Sequence, residues 1–277
     1  AANASARSGS SKAIKAITEA FMKPGEIFTK ANNSFVAEFE GEHPAGNVGI
    51  QIHHINPVNK GEVVWTVNVQ DVAMIGNFLR TGTLSAKKII ALTGSEVRHP
   101  KYYNVTIGQN LSEIFHENIK EAEEKPRFIS GNALTGTKVE ADGFLGFYDN
   151  QLTVLPEGDK YDFFGWMIPI QPNKFSLSRT LWSWLVPSKA YRLNTNINGE
   201  ARAFVVSNEY DQLLPMNIYP VQLLKSCLIE DIDAMEGLGI YEIVPEDLAL
   251  CEFACTSKQP VQQILQTGLD LVKIECA

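Results

Sequence analysis

The side chains best equipped for chemistry are few and scattered. The four cysteines, Cys227, Cys251, Cys255 and Cys276, all fall in the last quarter of the 277-residue chain. They are too few and too local for a disulfide framework, which points to a reducing compartment. Cys251 and Cys255 stand four apart in CEFAC and would share one helix face. An iron–sulfur cluster needs four thiolates in tight groups, commonly at Cys-x-x-Cys spacing, so buried structural thiols are the expectation. In the run IQIHHI, read as a strand, His53 and His54 face opposite sides. With His43 and His99 they could bind a metal only if the fold gathered them, and no pair has helical ligand spacing. One buried, hydrogen-bonded imidazole and one exposed one are expected. The loop GEHPAGNVG (41–49) invites a phosphate reading, because bare glycine N–H groups can approach an anion. Its spacing matches neither the dinucleotide fingerprint nor the P-loop, so a structural turn is the default. No catalytic, cofactor-binding or metal-ligating residue is assigned. The one candidate docking pair is Trp182 and Trp184, in KFSLSRTLWSWLVP. Two neighbouring indoles usually pack in a core; if exposed, they anchor a protein interface, where Trp is enriched.

The whole chain frames these residues. A length of 277 residues suggests about two domains, and 44% hydrophobic with 20% charged residues is an ordinary globular composition. No apolar span reaches the roughly 18 residues that a membrane helix needs, and AANASARSGSSK has no apolar core of a signal peptide. This start reads as a cut in a longer polypeptide. The net charge is −8, and between Lys225 and Lys258 there are eight carboxylates and no Lys or Arg. That surface disfavours nucleic acid. A solvated acidic face is the plain reading, and a dock for a basic partner is the alternative.

Periodicity predicts three parts. Residues 1–125 read as a partial α/β domain: a helix over Ser11–Met22, strands over Glu26–Lys30 and Ser34–Phe39, and a strand over Glu62–Val69. A helix capped by Asp71 and ended by Gly82 follows, then a buried strand over Lys88–Leu92 and a helix over Leu111–Glu124. Strand, helix, strand over about 30 residues predicts a βαβ unit in a parallel sheet. Residues 126–176 read as a small β subdomain with a hairpin turning at Asp149-Asn150 and a core built on Phe163, Phe164 and Trp166. Its aromatics are expected to be core rather than a binding platform. Residues 177–277 read as a hairpin turning at Asn198-Gly199 and three proline-initiated helices, Pro220–Gly237, Pro245–Cys255 and Pro260–Glu275.

Long stretches carry a resemblance: HPAGNVGIQIHHINPVNKGEVVW, ISGNALTGTKVEADGFLGFYDNQLTVL, FGWMIPIQPNKFSLSRTL, VPEDLALCEFACTSK and the late GLDL. From about Ala31 onward the chain resembles the family of A subunits of the bacterial Na+-translocating NADH:quinone oxidoreductase, without that family's N-terminal portion. The resemblance implies a fold of α/β plus α+β class. It would comprise a partial Rossmann-like domain at 1–125, a β-grasp subdomain of ligand-binding type at 126–176, and the hairpin with a C-terminal helical domain at 177–277. It also implies a peripheral location on the cytoplasmic face of the bacterial inner membrane, bound to the membrane subunits of the pump, with ubiquinone as a further candidate partner. Flavins and iron–sulfur centres would belong to the complex; this chain, without the cluster motifs, is expected to bind no cofactor. A free-standing nucleotide- or flavin-dependent oxidoreductase and a ligand-sensing β-grasp module are the alternatives.

Overall fold

The computed structural model describes residues 7–8, 36–121, 124–159, 174–175, 181–186, 190–199 and 202–275. The helix expected over Ser11–Met22, the strand over Glu26–Lys30, Cys276 and the aromatics Phe163, Phe164 and Trp166 lie outside the described residues. The strands, in chain order, are β1 (Arg7–Ser8), β2 (Ala37–Glu38), β3 (Lys87–Thr93), β4 (Lys101–Thr106), β5 (Pro126–Ser130), β6 (Thr137–Val139) and β7 (Gln151–Pro156). The helices are α1 (Val48–Ile55), α2 (Val69–Thr81), α3 (Ser112–His116), α4 (Pro220–Leu228), α5 (Ile232–Gly237), α6 (Ala249–Ala254) and α7 (Val261–Glu275). They form a mixed α/β protein of two compact units, Ala1–Trp65 with Arg202–Ala277, and Thr66–Ala201.

The first unit is mostly helical. Val261, Ile264, Leu265, Gly268 and Val272 recur along one face of α7 and are all buried there. A side chain at Gly268 would overlap Cys227 on α4, so the missing side chain sets how closely these helices approach. Leu223, Leu224, Met235, Ile240, Leu248 and Leu265 are fully enclosed, and Ile50 of α1 joins the same core. Each such side chain contributes about 1.5–3 kcal/mol. The three expected C-terminal helices appear with breaks: Asp231 starts a new helix, α5, and Pro245–Leu248 is a 3-10 turn leading into α6.

The second unit is built on one five-stranded mixed sheet, in the order β4-β3-β7-β5-β6. Its only parallel pair among the described strands is β3 with β7; β3–β4, β5–β7 and β5–β6 are antiparallel. Ile90 and Leu92 of β3 and Leu152 and Val154 of β7 are buried with Leu111, Ile114 and Phe115 around α3.

Several expectations change. The run IQIHHI is helical, not extended. The strand expected over Glu62–Val69 is absent from the described chain: residues 62–68 belong to no strand, and Val69 already opens α2. Val63, Trp65 and Val67 are 75%, 89% and 56% exposed. Alternating apolar residues need a neighbouring backbone to become a strand, and no described strand pairs with them. The parallel βαβ unit therefore does not form. The cap of α2 is Asn68, which accepts from the Gln70 N–H, rather than Asp71, while Gly82 ends the helix in the left-handed conformation as expected. The helix placed over Leu111–Glu124 shortens to Ser112–His116. Asp149-Asn150 does not turn a hairpin, because β7 pairs with β3 and β5 instead of with residues 144–148. Asn198 and Gly199 have the positive φ of a turn, but the described residues flanking them are not strands. A boundary at 125/126 would cut the single sheet that holds both β3–β4 and β5–β7.

Candidate functional site

The glycine-rich loop leads into α1 and does present a helix N-terminus, where an anion is favoured. The anion comes from within the chain. Asn47, the N-cap, makes no side-chain cap bond. The Asp247 carboxylate lies against this helix start: it accepts from the Val244 N–H at 3.3 Å, while the backbone of Ile50 and the side chain of Asn47 face it closely enough to favour its charged form. Asn47 Nδ2 also donates to the Glu246 carbonyl at 3.0 Å. A Cβ at Gly49 would overlap this carboxylate, so glycine is required by close approach. Asp247 is 1% exposed. Burial pushes its carboxyl up to about 6, Glu246 adds to the rise, and the hydrogen bonds oppose it. The loop is a docking turn that the protein fills itself.

The same body uses most of the acidic run internally. Asp231 accepts from the Ala234 N–H as the cap of α5. Glu236 takes Lys60 Nζ and the Tyr241 hydroxyl, each at 2.6 Å. Glu242 lies 2.7 Å from His53 Nδ1, and Glu252 accepts the Gln262 N–H at 2.9 Å as α7 begins. With Asp247, five of the eight carboxylates bond within the chain, yet only Asp247 is buried; Glu230, Asp231, Asp233 and Glu246 are exposed, in keeping with a solvated face. His53 Nε2 accepts from the Asn217 N–H at 3.1 Å, which leaves the proton on Nδ1 facing Glu242. Its side chain is 8% exposed, while His54 is exposed and bonds the Pro215 carbonyl at 2.8 Å. One buried and one exposed imidazole is therefore correct, although the carrier is a helix.

Cys227, Cys251 and Cys255 are buried free thiols, and burial pushes Cys227 up to about 11 and Cys251 up to about 12. Cys255 Sγ lies 2.9 Å from the Tyr210 hydroxyl, whose own ionisation burial drives upward. Cys227 and Cys251, held neutral in this way, are poor nucleophiles and ligands. Among the described residues, no group of three or more His, Cys, Asp or Glu side chains could hold a metal ion.

In the sheet unit, a buried polar cluster holds up an aromatic loop. Lys88 is 4% exposed and donates to the Phe147 carbonyl at 2.7 Å. Burial lowers its pKa, with Asp71 and Asp149 pulling the other way. Asp149 accepts the Ser130 hydroxyl at 2.5 Å, and Ser130 Oγ accepts the Gly146 N–H at 2.8 Å. On this frame Phe144, Phe147 and Tyr148 are 58%, 58% and 82% exposed. These three aromatics are surface, contrary to the expectation of core. Beside the sheet, Glu96 is held by Arg192 Nε at 2.8 Å, and that hydrogen bond keeps its carboxyl below the usual range. Glu157 is held likewise, first by Lys138 and then by Arg127. A groove of about 580 Å³ runs along β4 and α3, lined by Lys101, Tyr103, Asn104, Glu113 and Glu117 among others.

Trp182 and Trp184 lie on a 3-10 turn, Trp182–Leu185, next to buried Leu181. Both indoles are solvent-facing, at 56% and 48%, and Leu185 and Val186 beside them are also exposed. Their exposure places these indoles on the surface rather than in a core pair. No described cluster combines a nucleophile, a base and an orienting partner.

Comparison with known proteins gives these surfaces a context. The domain family described as "NqrA second alpha/beta domain" matches residues 16–84, and that described as "NQRA C-terminal domain" matches residues 89–141. The chain is 38% identical over 246 residues to the A subunit of the Na(+)-translocating NADH-quinone reductase of Neisseria meningitidis serogroup B, covering 88% of this chain and 54% of the relative. It is 38% identical over 244 residues to the corresponding protein of Haemophilus influenzae, with the same coverage. To that of Rhodopirellula baltica it is 37% identical over 240 residues, 86% of this chain and 52% of the relative. The chain thus spans about half the length of the curated relatives it matches. Both domain matches, within residues 16–141, and these relatives, over 86–88% of the chain, make it similar to the NqrA family, the A subunits of the Na(+)-translocating NADH-quinone reductases.

Proposed function

We propose that this chain serves as a peripheral, non-redox part of a respiratory sodium pump that couples NADH oxidation and quinone reduction to Na+ export. The identity of 38% across 88% of the chain carries the reading. Among the described residues, no helix is long and apolar enough to cross a membrane, and Cys227, Cys251 and Cys255 are buried free thiols. In this reading the chain sits on the cytoplasmic face of the membrane, binds no cofactor of its own and docks on the membrane subunits through Trp182 and Trp184. In the same reading it carries a partial Rossmann-like α/β domain, a β-grasp subdomain and a C-terminal helical region, whose role is architectural and close to the quinone end of the path.

The test is NADH-driven Na+ uptake by inverted membrane vesicles from cells in which the coding region of this chain is deleted. Uptake that depends on quinone should be lost and restored by complementation; uptake that survives unchanged rejects the reading. In complemented cells, Trp182→Ala with Trp184→Ala should cut co-purification with the membrane subunits by about tenfold, in line with the loss of two interface indoles. Undiminished recovery of the complex removes the docking role from this pair.

A further inference from the structure

The outer edge of β4 combines three properties of a peptide-binding surface. First, its backbone is available for pairing. Ile89, opposite Asn104 in the β3–β4 register, has both its N–H and its carbonyl bonded to the Gln70 side-chain amide, at 2.9 Å each. Ile89 therefore does not exchange hydrogen bonds with Asn104, and the N–H and C=O of Asn104 point away from β3. Two residues on, the outward N–H of Thr106 has the same orientation and is met by Gln109 Oε1 at 3.2 Å, which closes that end of the edge. Among the described residues no strand pairs with the outer side of β4, and Asn104 lies in the wall of the groove.

Second, the groove runs between this strand and α3, so an extended chain placed there would contact backbone on one side and helix side chains on the other. That is the geometry by which peptides add to sheet edges. Third, the groove has a charge preference. Glu113 and Glu117 line its helix side, both exposed, and among the described residues neither pairs with a cation. They lie four residues apart, about 6 Å along the helical path, close to the roughly 6.7 Å between alternate side chains of a strand. The cation on the strand side, Lys101, is drawn over the Tyr103 ring with Nζ 4.8 Å from its centroid.

We propose that the groove between β4 and α3 receives an extended segment of another polypeptide carrying Lys or Arg at alternate positions, which adds to the β4 edge as a sixth strand and sets its cations against Glu113 and Glu117. Main-chain hydrogen bonds supply the attachment, and the two carboxylates set the register. The proposal is independent of the respiratory role, since it needs only the edge, the groove and the charge.

The experiment is fluorescence anisotropy of the 277-residue chain with a labelled Lys-Val-Lys-Val-Lys-Val peptide at low ionic strength. Saturable binding is expected, weakened about fivefold by Glu113→Gln with Glu117→Gln, as suits two partly exposed ion pairs. Two further peptides separate strand addition from charge attraction, one N-methylated at every valine and the other at every lysine. An added strand turns only alternate N–H groups toward its neighbour, so one methylated peptide should lose binding by at least about tenfold and the other should keep it. Asn104→Pro, which removes the outward N–H without breaking a bond to β3, should match the loss. Because the peptide changes leave the protein untouched, misfolding of the proline variant does not blunt the test. Failure of the parent peptide to bind, equal behaviour of both methylated peptides, or indifference to the paired glutamine substitutions overturns the proposal.

Discussion

Asp247 and Gly49 show how a single position can decide what a loop does. A helix start rich in glycine attracts anions, and from the sequence an external phosphate competes with a plain turn. The structure fills the position with a carboxylate from roughly 200 residues further along the chain, a partner that local pattern cannot reveal. The glycine itself is legible; its reason is not. Gly49→Ala would drive a methyl group into the carboxylate, and we expect a loss of about 2–4 kcal/mol in the helical unit by denaturant unfolding. In an Asp247→Ala background the same change should cost less than half as much, because the overlap is gone. Additive losses in this double-mutant cycle would show that the two residues do not act on each other. His53 and His54 follow the same rule: one buried and one exposed imidazole is predictable from composition and spacing, whereas Glu242 and Pro215, their partners, are not.

Among the elements, those that satisfy their own backbone are legible in the sequence and those that need distant partners are not. The amphipathic stripe of α7, the Gly82 stop of α2 and the presence of a strand at β3 follow from local sequence, whereas the burial of Lys88 and the exposure of Ile89 on that strand do not. Glu62–Val69 has the same apolar alternation as a strand, but no described strand pairs with it, and the β7 pairing that replaces the Asp149-Asn150 hairpin depends on β3, nearly 60 residues earlier. Gln70 repairs the point where this sheet is incomplete. β7 pairs with β3 only from Ala91, so Ile89 would be left open on that side, and the Gln70 amide serves it as donor and acceptor. Gln70→Ala should therefore cost about 1–2 kcal/mol, the worth of two such bonds. It should also speed exchange of the Ile89 amide by about tenfold while leaving that of Leu92 unchanged. Equal effects at both amides would mean that Gln70 supports the sheet as a whole rather than this one gap.

At the scale of the whole molecule, the two units carry carboxylates shifted in opposite directions, and so they should answer acid differently. Asp247 in the helical unit has a folded pKa of about 6 against an ordinary value of 3.8. The folded state thus holds its proton more tightly, and the stability gained is fully present below the unfolded pKa and lost as pH rises through about 6. Glu96 and Glu157 in the sheet unit are held below their ordinary value of 4.5 by Arg192 and by Lys138 with Arg127. Their contribution is present above 4.5 and is lost as pH falls through the lowered folded values. Moving from neutral pH to about 5 should then raise protection in α7 while leaving β5 and β7 unchanged, and acidification well below 4.5 should weaken the strands. Hydrogen exchange, corrected for intrinsic rates and followed on peptides from each unit, measures both responses. Asp247→Asn keeps the shape and the acceptor oxygen but cannot ionise, so it should stabilise the helical unit by up to about 3 kcal/mol at neutral pH and abolish its gain on acidification. A helical unit whose protection stays flat between neutral pH and 5, or an asparagine variant that still gains on acidification, would remove Asp247 as the source of the asymmetry.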